Sequence, residues 1–94
     1  MTLRFRKEAL SDLEEIGDYI ATDNPLRAES FVGELRAHCE RLTTNPRIYP
    51  VRHSLPGNVR IAPHGNYLII YREIDNALEI VRIVHAARRI DNMF

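Results

Sequence analysis

The sequence predicts an α+β domain: an N-terminal strand, an antiparallel helical hairpin, and a small, mainly antiparallel sheet ending in a three-stranded meander. Three observations carry this expectation. Apolar residues recur at helical spacing from residue 7 to residue 42, with one break at Asp23-Asn24-Pro25. Three of the five prolines fall in residues 46–58, which read as an irregular connection. After that come short β-branched and aromatic runs separated by turn chemistry.

Each element has its own local reason. "TLRFR" (2–6) alternates polar and apolar residues and reads as a strand. In the first helix, from Lys7 to about Ala21–Asp23, Ala9, Leu13, Ile16 and Ile20 form the apolar stripe. Its carboxylates Asp12, Glu14, Glu15 and Asp18 read as a solvated face. Asn24 is a good N-cap, and Pro25 has its φ pre-set for a first helical position. The second helix carries Ala28, Phe31, Leu35, Cys39 and Leu42 on one stripe and ends by Asn45-Pro46. Helices joined by so few residues run antiparallel. In the second half, "VRIA" (59–62) reads as a short strand and "PHGN" (63–66) as a turn. "YLIIYREI" (67–74) and "LEIVRIV" (78–84) are central strands joined by a tight turn at Asp75-Asn76. Helices are expected to cover one face of this sheet.

Ninety-four residues form one domain, 1–94, small enough to bury only about 60–65% of the unfolded surface. No apolar run reaches the length of a membrane span and no signal-peptide pattern opens the chain, so the expected location is the cytoplasm, away from membranes. Cys39, the one cysteine, fits a buried helical position rather than a nucleophile. Glycine-rich phosphate loops, CxxC and HExxH are absent, and the four histidines lie on separate elements without metal-ligand spacing. No cofactor or metal is expected. His53 and Ser54, neighbours on an extended stretch, point opposite ways and form no catalytic pair.

The zero net charge hides an asymmetry. Residues 1–46 hold six bases and nine acids, whereas residues 47–94 hold seven arginines and four acids, −3 against +3. Twelve of the thirteen bases are arginine, the residue whose planar fork suits carboxylates and phosphates. Strand parity places Arg82 on the face shared by Leu78, Ile80 and Val84, where a charge must reach solvent or a partner. Two readings stay open from the residues alone. Either Arg82 points into water from a wet sheet face, or Arg60, Arg82, Arg88 and Arg89 line an open face that receives an anionic ligand or a partner's carboxylates.

The residues "EALSDLEEIGDYIATDNPLRAESFVGELRAHCERLTTNP" and "NVRIAPHGNYLIIYREIDNALEIVRIVHAARRID" together resemble the ParE toxins of the RelE/ParE superfamily, across nearly the whole chain. The resemblance implies a RelE/ParE-like fold and a bacterial toxin of a type II toxin–antitoxin pair, of the kind that stabilises plasmids or genomes. It implies a cognate antitoxin that binds the toxin in a hetero-oligomer, and DNA gyrase (its A subunit) as target. His85 and Arg88 match the superfamily's HxxR element, with Arg89 and Asp91 just beyond. Target or antitoxin binding then falls to Arg60, Arg82, His85, Arg88 and Arg89. RelE-like members cleave mRNA on the ribosome, which would make His85, Arg88 and Arg60 the catalytic set. That chemistry needs proton transfer, which arginine does not supply near neutral pH. Phe94 stands where the nuclease branch has a tyrosine, and no lysine follows Lys7. The expectation is therefore a gyrase poison that is not an enzyme, with the ribosome-dependent endonuclease, or a degenerate toxin serving as co-repressor, as alternatives.

Overall fold

The computed structural model describes residues 1–88 and 90–93, with Asp91 and Asn92 described by their backbone alone. The expected order is found: β1 (Thr2–Phe5), α1 (Lys7–Ala21), α2 (Pro25–Leu42), β2 (Arg60–His64), β3 (Tyr67–Ile74), β4 (Ala77–His85) and a 3-10 turn at Ile90–Met93. The sheet order is β1-β4-β3-β2. β1 runs parallel to β4, while β2, β3 and β4 form the antiparallel meander.

Local chemistry sets the boundaries. Asn24 caps α2, its side-chain oxygen accepting from the Arg27 N–H at 3.1 Å, and Pro25 opens the first turn. Asp75 and Asn76 both sit at positive φ, 50° and 62°, the twist that a two-residue hairpin requires. The turn before β3 is shorter than the sequence suggests. Pro63 and His64 belong to β2 and pair with Leu68 and Tyr67, leaving the turn to Gly65 and Asn66. Pro63 is tolerated because β2 is an edge strand with a free side.

Two apolar clusters sandwich the sheet. Under the helices lie Ala9, Leu13, Ile16, Leu35, Cys39 and Leu42 from the hairpin, with Ile69, Tyr71, Leu78, Ile80 and Ile83 from the strands. The Tyr71 hydroxyl, which would be orphaned in this core, donates to the Pro46 carbonyl at 2.8 Å. On the opposite face Val59, Ile61, Ile70, Val81 and Val84 pack with Leu55, Leu68, Ile90 and Met93. The face expected to be open and wet is thus largely roofed by the 46–58 connection and the C-terminal turn. That second cluster adds buried apolar surface to a chain whose small size limits its main core. No helix among the described residues is long and apolar enough to cross a membrane.

The main correction concerns parity along β4. Tyr71 pairs with Ile80 but Ile70 pairs with Arg82, so Val81 is an extra residue, a bulge. After it, Ile83 rather than Val84 joins Leu78 and Ile80 beneath the helices. Arg82 does not face outward to a partner. Its Nε and Nη2 donate to the two carboxylate oxygens of Asp12 at 2.7 and 2.9 Å. Asp12, read from sequence as part of a solvated face, is 6% exposed and lies on the buried side of α1. β1 stops at Phe5, opposite Ile80, so the next stretch of β4 has no strand on that side. Asp12 fills the gap by also accepting from the Ile83 N–H at 2.9 Å.

This geometry makes Asp12→Ala and Arg82→Ala stability variants. Arg82→Ala strands a buried carboxylate and should cost about 3 kcal/mol in urea unfolding. Asp12→Ala frees an arginine that still reaches water but orphans the Ile83 N–H, for about 2 kcal/mol. The helical hairpin offers a second check. A Cβ at Gly17 would stand 3.3 Å from Val32 Cγ2, whereas nothing lies within 4 Å of one at Gly33. Gly33→Ala should therefore stabilise by about 0.5–1 kcal/mol through helix propensity, and Gly17→Leu should destabilise by about 1–3 kcal/mol through overpacking.

Candidate functional site

The expected arginine face separates into two groups. Arg60 and Arg82 do not meet. Arg60 starts β2, at the far edge of the sheet, and its Nη1 donates to the Tyr49 carbonyl at 2.6 Å. Its Nη2 lies 3.6 Å from Glu73 Oε2, and its side chain is 14% exposed. Together with the Val51–Arg60 bridge, these contacts pin the irregular connection to the sheet. Arg72 and Arg6 are likewise engaged, donating to Glu79 Oε1 at 2.8 and 3.2 Å. Burial opposes ionisation of Glu79, but the hydrogen bond from Arg72 and the charge of Arg6 outweigh it, and the carboxyl is held below its ordinary range.

Arg88 is exposed, as expected for a recognition residue. It lies beyond β4 in a turn whose Arg88 N–H donates to the His85 carbonyl at 2.9 Å. Its side chain borders a depression of about 300 Å³ with Arg52, Ser54, Leu55, Ile61 and Ile90. Two guanidinium groups and a hydroxyl around one depression can hold an anionic oxygen group. On its other side Arg88 borders a smaller depression of about 140 Å³ that includes Asp12, Glu15 and His85, where carboxylates disfavour an anion. Arg89 and Phe94, and the side chain of Asp91, lie outside the described residues.

His85 closes β4 opposite Tyr67, ring to ring at 5.3 Å and nearly edge-on. Its Nδ1 accepts from the Ala87 N–H at 3.1 Å, so the neutral ring carries its proton on Nε2, which bonds to no other side chain or backbone group among the described residues. His85 and Tyr67 line a groove of about 660 Å³ with Tyr19, Arg27, Phe31 and Asn66, at the α1–α2 loop end of the hairpin. Phe31 stands 5.6 Å from Tyr67 and 5.6 Å from His64, with the Arg27 guanidinium 5.1 Å above its ring. His64 in turn meets His38, the two Nδ1 atoms 2.8 Å apart.

Sequence reasoning missed Arg52, His38, His64 and the aromatic wall. The histidines were visible, but their meeting depends on α2 crossing the end of β2, which no local pattern reports. Arg52 had no signal, because its place is set by the Arg52 N–H donating to the Val59 carbonyl at 2.8 Å across an irregular loop. Among the described residues no cluster of three or more His, Cys, Asp or Glu is arranged to hold a metal. Burial pushes the Cys39 thiol up to about 12, so it stays protonated and inert.

The chain matches, over residues 3–90, the family model described as ParE toxin of the type II toxin–antitoxin system parDE. It is 34% identical over 80 residues to Toxin RelE2 of Caulobacter vibrioides, spanning 85% of this chain and 89% of that protein. Its fold is similar to a structure titled chromosomal ParDE toxin–antitoxin system from P. aeruginosa, with TM-score 0.80 and 22% identity over 90% of this chain and 95% of the other. A second similar structure is the RelBE2 toxin–antitoxin complex of Mycobacterium tuberculosis, with TM-score 0.65 and 27% identity over 89% and 95%. The chain belongs to the ParE toxin family, and it is a toxin of a type II toxin–antitoxin system.

Proposed function

We propose that this ParE-family toxin acts by binding a macromolecular target, DNA gyrase through its A subunit, and that a cognate antitoxin silences it by direct contact. The observation that carries the non-catalytic reading is the occupation of the arginines. Arg60, which a nuclease would recruit, is spent on Tyr49 and Glu73. Arg82 is spent on Asp12. The arginines left around one depression, Arg52 and Arg88, have Ser54 as their polar companion there, and neither guanidinium exchanges a proton near neutral pH. Such a site suits contact with carboxylates or phosphates better than 2′-OH activation.

A seat for the antitoxin is supported by the outer face of the hairpin. Leu10, Leu13, Ala28 and Val32 line a groove of about 500 Å³ between the helices, its charged lining being three acids, Glu14, Asp18 and Glu29, against one base, Arg36. An amphipathic segment with apolar anchors and flanking lysine or arginine fits that chemistry. The similar structures carry toxin–antitoxin titles, which agrees with this pairing.

The endonuclease reading retains two supports, the identity to a protein named Toxin RelE2 and the exposed His85. Expression in bacteria without antitoxin separates the two. Stabilised gyrase–DNA breaks with intact mRNA are expected, and Arg88→Ala should reduce toxicity at least about tenfold, the loss of one charge-assisted contact, while leaving the fold intact. Robust mRNA cleavage mapped to the ribosomal A site, abolished by His85→Ala, would overturn the binding reading. Co-expression with the adjacent gene's product should restore growth and raise the toxin's Tm by mass action.

A further inference from the structure

We infer that His38 and His64 form a proton-operated latch that joins α2 to the β2–β3 turn and sets the shape of the aromatic groove beside it. The inference rests on geometry and is independent of the target proposed above. His38 lies on α2 and His64 ends β2, and both are half-buried. Their Nδ1 atoms are 2.8 Å apart, so one ring must donate its Nδ1–H and the other must accept.

That arrangement can absorb one extra proton but not two. The accepting ring already carries its hydrogen on Nε2. A proton added to the Nε2 of the donating ring leaves Nδ1–H pointing at its partner, and the bond becomes charge-assisted and stronger. A second proton has only the accepting Nδ1 to occupy. It would place two N–H groups and two positive charges face to face, and the rings must part.

The surroundings decide which ring takes which proton. From α2, Glu34 lies within electrostatic reach of His64, and its pKa is held low first by the hydrogen bond from Arg27 and further by the charges of Arg27 and His64. That carboxylate is the anionic neighbour on the His64 side of the pair. His38 faces His64 and Arg41, and its pKa is depressed from 6.5, first by burial and then by the charges of His64 and Arg41. From the sheet side, Tyr67 is the further titratable neighbour in the ring stack, with its pKa raised by burial. His38 is therefore the accepting ring, and its protonation below the ordinary histidine range opens the latch. Linkage fixes the sign. A depressed histidine pKa contributes stability that is full above 6.5 and is lost as pH falls through the folded-state value.

Opening has a defined consequence. His64 packs edge-on against Phe31, and Phe31 packs at a tilt against Tyr67, which with His85 forms the groove wall. The turn between them is Gly65-Asn66, with Gly65 at φ +57° and both residues exposed. Releasing His64 frees that turn from α2, and the groove loses one side.

Imidazole and amide NMR over pH 8 to 4.5 tests the latch on the whole chain. The pair should titrate in two coupled steps, the second, on His38, below 6.5. The amides of Gly65, Asn66 and Phe31 should move with that second step. In His38→Gln, or in His64→Asn should that variant fold poorly, the amide changes at that pH should vanish. Two independent, uncoupled titrations of the two rings would overturn the latch. So would groove shifts of unchanged midpoint in either variant, or collapse of α1 and β4 amide dispersion at the same pH, which would mark global unfolding.

Discussion

The contact on which the rest of the molecule depends is the Asp12 carboxylate, shared between the Arg82 guanidinium and the Ile83 N–H. A parallel strand as short as β1 covers only half of β4, and the uncovered half would expose backbone donors at a sheet edge. A carboxylate projected from the buried side of α1 satisfies that edge and clamps helix to strand. The two residues are 70 positions apart, so the contact ties the N-terminal helix to the last strand. Ion pairing of this kind is weak support if fully exposed and costly if left unmatched. Here it is bidentate, 7% and 25% exposed at its two side chains, and completed by a backbone donor.

That anchor reorganises the meaning of the arginine-rich second half. Arg60 holds the irregular connection, Arg72 shares Glu79 with Arg6, and Arg82 holds α1. Three of the seven arginines of residues 47–94 are thus engaged inside the fold, with acids of both halves. The end of β4 and the turn after it face outward, with His85 above the aromatic groove and Arg88 between an acidic and a basic depression. The two exposed candidates for recognition among the described residues, His85 and Arg88, stand together at one end of the sheet rather than spread over its face. The family resemblance carried by "VHAARRID" pointed to the same end, and the match to the ParE family covers it as far as residue 90.

Local signals carried the element order well. Helix spacing, the Asn24-Pro25 break and the Asp75-Asn76 turn each place an element within a residue or two, because each rests on short-range backbone chemistry. The arginine positions were misread for a different reason. A regular register from the turn at 75–76 pairs Tyr67 with Val84. The bulge at Val81 shifts everything beyond it, bringing His85 opposite Tyr67 and Ile83 into the main core. No residue type in "LEIVRIV" announces a bulge. It becomes intelligible only with α1 in place, since Asp12 is what the displaced strand meets. The same limit applies to His38 and His64, which are 26 residues apart and meet only in the folded chain.

The claim that Arg82 serves the fold through Asp12 is tested most directly by a double-mutant cycle in urea unfolding. If the two side chains act as one unit, the double alanine variant should be no less stable than Arg82→Ala alone, because removing Asp12 relieves the stranded carboxylate. The coupling should then be about 2 kcal/mol, within the range for directly bonded partners. Additive losses, with coupling under about 0.5 kcal/mol, would contradict the account and return Arg82 to the surface as a recognition residue.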